Sequence, residues 1–173
     1  MILSKVQEWD VQTFLRLDGL RGHKLLHGFF LLITRTGNGL LYPLVPLFVW
    51  FIEPQSALPF FSAVMVSFAL CLPAHVLAKK YIRRLRPYEA HPNVKPCFKC
   101  VERFSFPSGH SAHAMLMAML LAYLFPTLTP LFPGWAFLVA ASRVYLGVHY
   151  PTDTLAGLAL GSLCAMTGLA IVY

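Results

Sequence analysis

Apolar residues in this 173-residue chain come in blocks of membrane-crossing length, separated by short polar stretches. The block "LLHGFFLLITRTGNGLLYPLVPLFVWFI" (25–52) is long enough to span a bilayer. Its "TRTGNG" stretch and two prolines interrupt it, which predicts a broken helix or two shorter pieces. "EPQS" then turns the chain into a second apolar segment over about 56–78; others follow over about 109–125, 131–147 and 153–172. Several approach the ~20 apolar residues that a hydrocarbon core requires. Ahead of them, Val6, Trp9, Phe14, Leu17 and Leu20 recur imperfectly at helical spacing. That pattern predicts a helix over 1–23 lying at the membrane interface or in solvent. Its acids and bases are spread throughout, unlike the compact apolar core of a signal peptide. The fold expected is all-α: one integral membrane domain over 1–173, a bundle of five or six transmembrane helices with an N-terminal interfacial helix.

Composition sharpens this. The chain is 57% hydrophobic and only 12% charged, against about 25% charged for a soluble domain. Trp9, Trp50 and Trp135 suit interfacial anchoring. Gly157 and Gly161 make a small-xxx-small pair that permits close helix packing. Cys71 and Cys164 fall inside apolar spans as small core residues. Cys97 and Cys100, in "KPCFKC", sit in a polar stretch, where a disulfide and two free thiols fit equally well; no second ligand pair accompanies them to suggest zinc.

The net charge of +7 matters for its placement. Lys79, Lys80, Arg83, Arg84, Arg86, Lys95, Lys99 and Arg103 share one connection, a polar basic loop over 79–107. In a membrane-buried chain such a cluster does not point to nucleic acid. It leaves cytoplasmic topology, anionic headgroups or an anionic substrate. Lys80, Arg83 and Arg84 read as attracting headgroups rather than as catalytic.

With spans alternating in direction, the end of the second, the start of the third and the fourth-to-fifth connection share one face. "KKYIRRLRP", "PSGH" and "SRVYLGVHYPTD" fall at those three places. Lys79 and Arg86 offer a point charge and a planar fork for phosphate oxygens. Pro107 favours a helix start, Ser108 supplies a hydroxyl and Gly109 allows close backbone approach. The free N–H groups there suit an anion, and His110 can deliver a proton near neutral pH. In the third cluster Arg143 precedes His149, and Asp153 follows by four residues. An Asp holding one imidazole nitrogen leaves the other as a nucleophile. His23, His27, His75, His91 and His113 read as packed or interfacial.

Lys79-x6-Arg86-Pro87, Pro107-Ser108-Gly109-His110 and Ser142-Arg143-x5-His149-x3-Asp153 resemble the three-part signature of the type 2 phosphatidic acid phosphatase (PAP2) superfamily, over roughly residues 56–172. The resemblance implies that His149 attacks phosphorus to form a phosphohistidine, oriented by Asp153. His110 would protonate the leaving oxygen and then help activate water. Lys79, Arg86, Ser108, Gly109 and Arg143 would cradle the phosphoryl oxygens. It implies no metal and no cofactor, and the seven carboxylates form no cluster suited to magnesium. The substrate implied is a lipid phosphate, with undecaprenyl diphosphate or phosphatidylglycerophosphate favoured over lipid A phosphates or phosphatidic acid. A lipid phosphotransferase using the same intermediate is the alternative enzyme. The vanadium haloperoxidases that share the constellation are soluble and much larger. A non-catalytic lipid-binding protein is disfavoured because His149 and Asp153 are both present. The location expected is a bacterial inner membrane, with the site facing the periplasm.

Overall fold

The computed structural model of the chain describes residues 2–91, 94–98, 100 and 102–173; Lys99 of the basic cluster lies outside them. The described residues form helices α1 (Ile2–Asp18), α2 (Lys24–Thr36), α3 (Leu44–Ile52), α4 (Pro54–Ile82), α5 (Pro87–Ala90), α6 (Gly109–Leu124), α7 (Leu131–Tyr145) and α8 (Pro151–Val172), and no strand. The interrupted first block is indeed two pieces: α2 and α3 are joined through a 3₁₀ turn at Gly39–Leu41. α4 opens with Pro54 in its first turn, where a missing N–H costs nothing. It runs 29 residues, roughly 43 Å. It ends at Arg83, whose φ of 49° lies in the left-handed region and closes the last turn. α4 and α8 are long and apolar enough to cross a membrane, while α6 is apolar but shorter.

The 79–107 connection is less of a loop than its composition predicts. Lys79 still belongs to the last turn of α4, and Pro87–Ala90 forms a helical turn after Arg86. Helical hydrogen bonding carries α4 past the apolar segment because Lys79 and Lys80 suit the negative end of its dipole.

α8 is the central helix. A Cβ at Gly157 or Gly161 would run into the backbone carbonyls of Ser108 and Ala112 on α6. A Cβ at Gly168 would strike Ser67 on α4. These glycines let three backbones approach closely, the device by which helices associate where burial from water drives little. Phe60, Ala63, Val64, Cys71, Ala112, Leu116, Met117, Leu120, Cys164 and Ala165 fill the main interior between them. Leu25, Phe51, Leu58, Leu131 and Ile171 are among the large apolar residues left on the outer surface, as a lipid-facing wall requires.

α1 departs from a helix merely resting on a surface. Phe14 is completely buried in a small cluster with Val94, Val144 and Tyr150, and Val11 and Leu17 pack against it. Val6, Trp9 and Leu20 stay exposed. Asp10, on the packed face, is also fully buried.

Candidate active site

All three polar clusters meet at one end of the bundle. The α6 start is held by Ser108, the N-cap, whose hydroxyl accepts the Ser111 amide at 3.4 Å and the Ser111 hydroxyl at 2.9 Å. Ser108 N–H donates to the Asp153 carbonyl at 2.9 Å, which ties the start of α6 to the first turn of α8. Gly109 has no room for a side chain, since a Cβ would stand 2.9 Å from Nε2 of His75.

Asp153 is fully buried and held on two sides. One oxygen accepts the Tyr150 N–H at 2.8 Å; the other accepts the Arg84 guanidinium at 2.8 Å. The oxygen on Tyr150 also faces Nδ1 of His149 at 3.7 Å, longer than a hydrogen bond. Such contacts are commonly long before substrate binds. On its other side, Nε2 of His149 lies 3.4 Å from the Arg86 guanidinium. A proton on Nδ1 suits both neighbours, facing the carboxylate while the Nε2 lone pair faces the cation. His149 lies in the α7–α8 connection. Burial, opposed by Asp153 and reinforced by the positive charge of Arg143 and Arg86, pushes its imidazole down to about 3. It is therefore neutral at pH 7.

The cations are held rather than floating. Arg86, almost wholly buried, donates to the carbonyls of Glu102 and Val148, both at 2.9 Å. Lys79 donates to the Phe104 carbonyl at 2.7 Å and pairs with the Glu102 carboxylate at 3.0 Å. Arg143 donates to the Thr34 hydroxyl at 2.8 Å, lies 5.3 Å from the centre of the Phe98 ring, and points an N–H towards Cys100 Sγ at 3.9 Å. Its Nε is buried and meets no partner among the described residues. His110 and Arg143 line a cavity of about 490 Å³ together with Glu102, Thr34, Arg35 and Asn38.

All eight residues singled out by the sequence (Lys79, Arg86, Ser108, Gly109, His110, Arg143, His149 and Asp153) thus lie at this one end. Cys97 and Cys100 are free thiols. Three participants were missed. Glu102 bridges the cradle cations. Arg84 does not reach for headgroups: its guanidinium is engaged by Asp153, Thr152 and Asp10. Asp10 arrives from α1, 142 residues before Thr152. A readable trace existed only for Asp10, a carboxylate at i on the apolar stripe that Phe14 and Leu17 continue at i+4 and i+7.

Comparison with known proteins gives a consistent picture. The model of the PAP2 superfamily matches residues 57–173. The lipid A 4'-phosphatase of Porphyromonas gingivalis is 30% identical over 169 residues, which cover 92% of this chain and 71% of that protein. The decaprenylphosphoryl-5-phosphoribose phosphatase of Mycolicibacterium smegmatis is 41% identical over 87 residues, 49% of this chain and 44% of that protein. The crystal structure of the transmembrane PAP2 type phosphatidylglycerolphosphate phosphatase of Bacillus subtilis superposes with a TM-score of 0.78 at 26% identity, over 96% of this chain and 86% of that one.

Proposed function

The chain belongs to the PAP2 superfamily and is a membrane lipid phosphatase, and from that premise we propose that it hydrolyses a lipid diphosphate or a comparable lipid bearing a second anionic group, through a phosphohistidine on His149. The observation that carries the reading is a neutral, buried imidazole with a carboxylate behind Nδ1 and the Arg86 guanidinium 3.4 Å from Nε2, beside a cavity whose lining includes His110, Arg143 and the Glu102 that pairs with Lys79 and Arg86. His149 Nε2 forms a bond to phosphorus as the bond from phosphorus to the lipid oxygen breaks, and His110 protonates that oxygen. Water then attacks the phosphohistidine, giving its proton to His110 and releasing inorganic phosphate and free His149. Asp153 holds the imidazole. Lys79, Arg86, Arg143, the Ser108 hydroxyl and the Gly109 amide hold the phosphoryl oxygens, whose charge the transition state spreads.

The cavity is larger than one phosphate needs, and Arg35, exposed on its α2 wall, carries a further positive charge. Undecaprenyl diphosphate has a second phosphate bonded directly to the scissile one, and phosphatidylglycerophosphate has a phosphodiester one glycerol away from it; a second anionic group within reach of Arg35 supports both over phosphatidic acid. The test is phosphate release in detergent with EDTA across those lipids. Arg35→Ala is expected to raise KM about tenfold on a diphosphate and to leave a monophosphate of the same tail unchanged. Equal effects on both would remove Arg35 from headgroup recognition. Absence of turnover on every lipid, restored by an acceptor lipid, would favour the phosphotransferase.

Glu102 occupies the cradle that substrate must enter. Burial favours its neutral form, but Lys79, His75 and Arg86 outweigh that and hold the carboxyl below its ordinary value. It therefore stays anionic, and competes with phosphate, throughout about pH 5 to 8. Its ion pair contributes above the usual carboxylate range and is lost only as pH falls through the lowered folded value. Glu102→Gln is expected to lower KM roughly two- to fivefold, flat across that window, the scale of a half-exposed pair. An unchanged KM would mean the carboxylate moves aside at no cost.

For topology we favour five crossings, the α2–α3 pair as one and α4, α6, α7 and α8 as the rest. That arrangement leaves α1 at the site end, in keeping with the contact of Asp10 to Thr152. The whole 1–173 chain is then one domain in a bacterial inner membrane, the site at the periplasmic face and α1 lying along it. Single cysteines introduced over 88–91 on a cysteine-free background should be labelled by membrane-impermeant reagents from outside; protection there reverses the assignment.

A further inference from the structure

The family match begins at residue 57, yet a carboxylate from α1 reaches into the site. Asp10 accepts the Thr152 N–H at 2.9 Å on one oxygen and the Arg84 guanidinium at 2.6 Å on the other, where the Thr152 hydroxyl also donates. The same guanidinium donates to the Asp153 carboxylate and the Thr152 hydroxyl, both at 2.8 Å, and its carbon lies 4.2 Å from the centre of the Tyr150 ring. We infer that Arg84 and Asp10 are positioning residues for Asp153, through which α1 fixes the aim of His149. This rests on the reading of Asp153 as the group that orients His149.

The physical case has two parts. Tyr150, the N-cap of α8, gives no side-chain cap, so the Thr152 N–H would be an orphan at the helix start. Asp10 supplies the missing acceptor from another helix and anchors the turn that carries Asp153. Arg84 in turn leaves Asp153 a single orientation. With one oxygen on the guanidinium and the other on the Tyr150 amide, the carboxylate has nowhere to swing. Without Arg84, a buried carboxylate would lack its cation, which costs far more than the pair contributes. Without Asp10, the guanidinium would keep its bonds to Asp153 and Thr152 through one nitrogen and lose the acceptor of the other, so its fork could pivot. Outer partners that hold a catalytic side chain typically cost 10–100-fold when removed, a range measured at metal sites.

The experiment measures kcat and KM for phosphate release by the purified full chain carrying Arg84→Gln, Arg84→Lys or Asp10→Asn. Each change is made alone and with Asp153→Asn, and detergent melting is followed in parallel. Arg84→Gln is expected to lower kcat roughly 30- to 100-fold with KM within about twofold, and Arg84→Lys to recover part of it. Asp10→Asn, which keeps an acceptor oxygen, should lose roughly tenfold in kcat. On the Asp153→Asn background, Arg84→Gln should cost less than about threefold more, because groups acting as a unit are not additive. Losses that multiply independently, a rise in KM with kcat intact, or losses that only follow the folded fraction would overturn the inference. If Arg84→Gln does not fold, Asp10→Asn carries the same cycle, and an unchanged kcat there overturns it. Full activity of Asp153→Asn alone would instead remove the reading on which the inference rests.

Discussion

His149→Ala protein, folded and pure in detergent, is expected to release no phosphate above background, a loss of roughly 10⁴-fold or more and so above about 5 kcal/mol of barrier. The size follows from its position. Among the described residues, no second imidazole combines near-complete burial, a carboxylate facing Nδ1 and a guanidinium 3.4 Å from Nε2. Wild-type enzyme quenched during turnover of a radiolabelled substrate should carry acid-labile phosphate on His149, and the variant none. Since burial holds the imidazole near 3, its protonation should remove no activity above about pH 5. The same depression has a sign for stability. Below about 6.5 the unfolded chain takes up a proton that the folded one refuses, so folding weakens as pH falls from there. His149→Ala loses that component. Turnover within tenfold of wild type would place the nucleophile elsewhere.

The sequence carried the frame of this molecule because its frame is local. Apolar runs mark α4, α6, α7 and α8 to within a few residues, and "TRTGNG" marks the break between α2 and α3. The site was legible for a different reason. Alternation of spans puts three distant polar clusters at one end, so Lys79, Ser108 and His149 could be grouped without any contact being known. What could not be read depends on pairing across the chain. Nothing in "KKYIRRLRP" separates Arg84 from its basic neighbours; only the arrival of Asp10 and the α8 start makes it a buried bridge. Glu102 lay in a polar stretch with no periodicity to aim it. The role of α1 was hidden by an imperfect amphipathic pattern, in which the informative feature was a charge on the packed face rather than the stripe itself.

Gly161→Val is expected to abolish the folded bundle, or to leave a protein whose melting point in detergent falls sharply and whose phosphatase activity falls with it. A Cβ at 161 would overlap the Ala112 carbonyl oxygen and stand 3.0 Å from the Leu116 amide, both backbone groups of α6 that no rotamer change can move. α6 and α8 would have to part along their length. Overpacking of ordinary side-chain contacts costs about 1–3 kcal/mol, and backbone overlap takes this case to the top of that range or past it. Gly157 faces the Ser108 carbonyl in the same way, one turn nearer the site. Gly157→Ala would push at the residue whose N–H donates to the Asp153 carbonyl at 2.9 Å. The milder change should therefore lose more kcat than stability, while Gly161→Val loses both. Gly134→Ala, on α7 with open space around the added methyl, is the control. It should be neutral or gain up to about 1 kcal/mol from helix propensity. If Gly161→Val matched that control in both melting and turnover, the close α6–α8 contact would not be what holds the two halves of the site together.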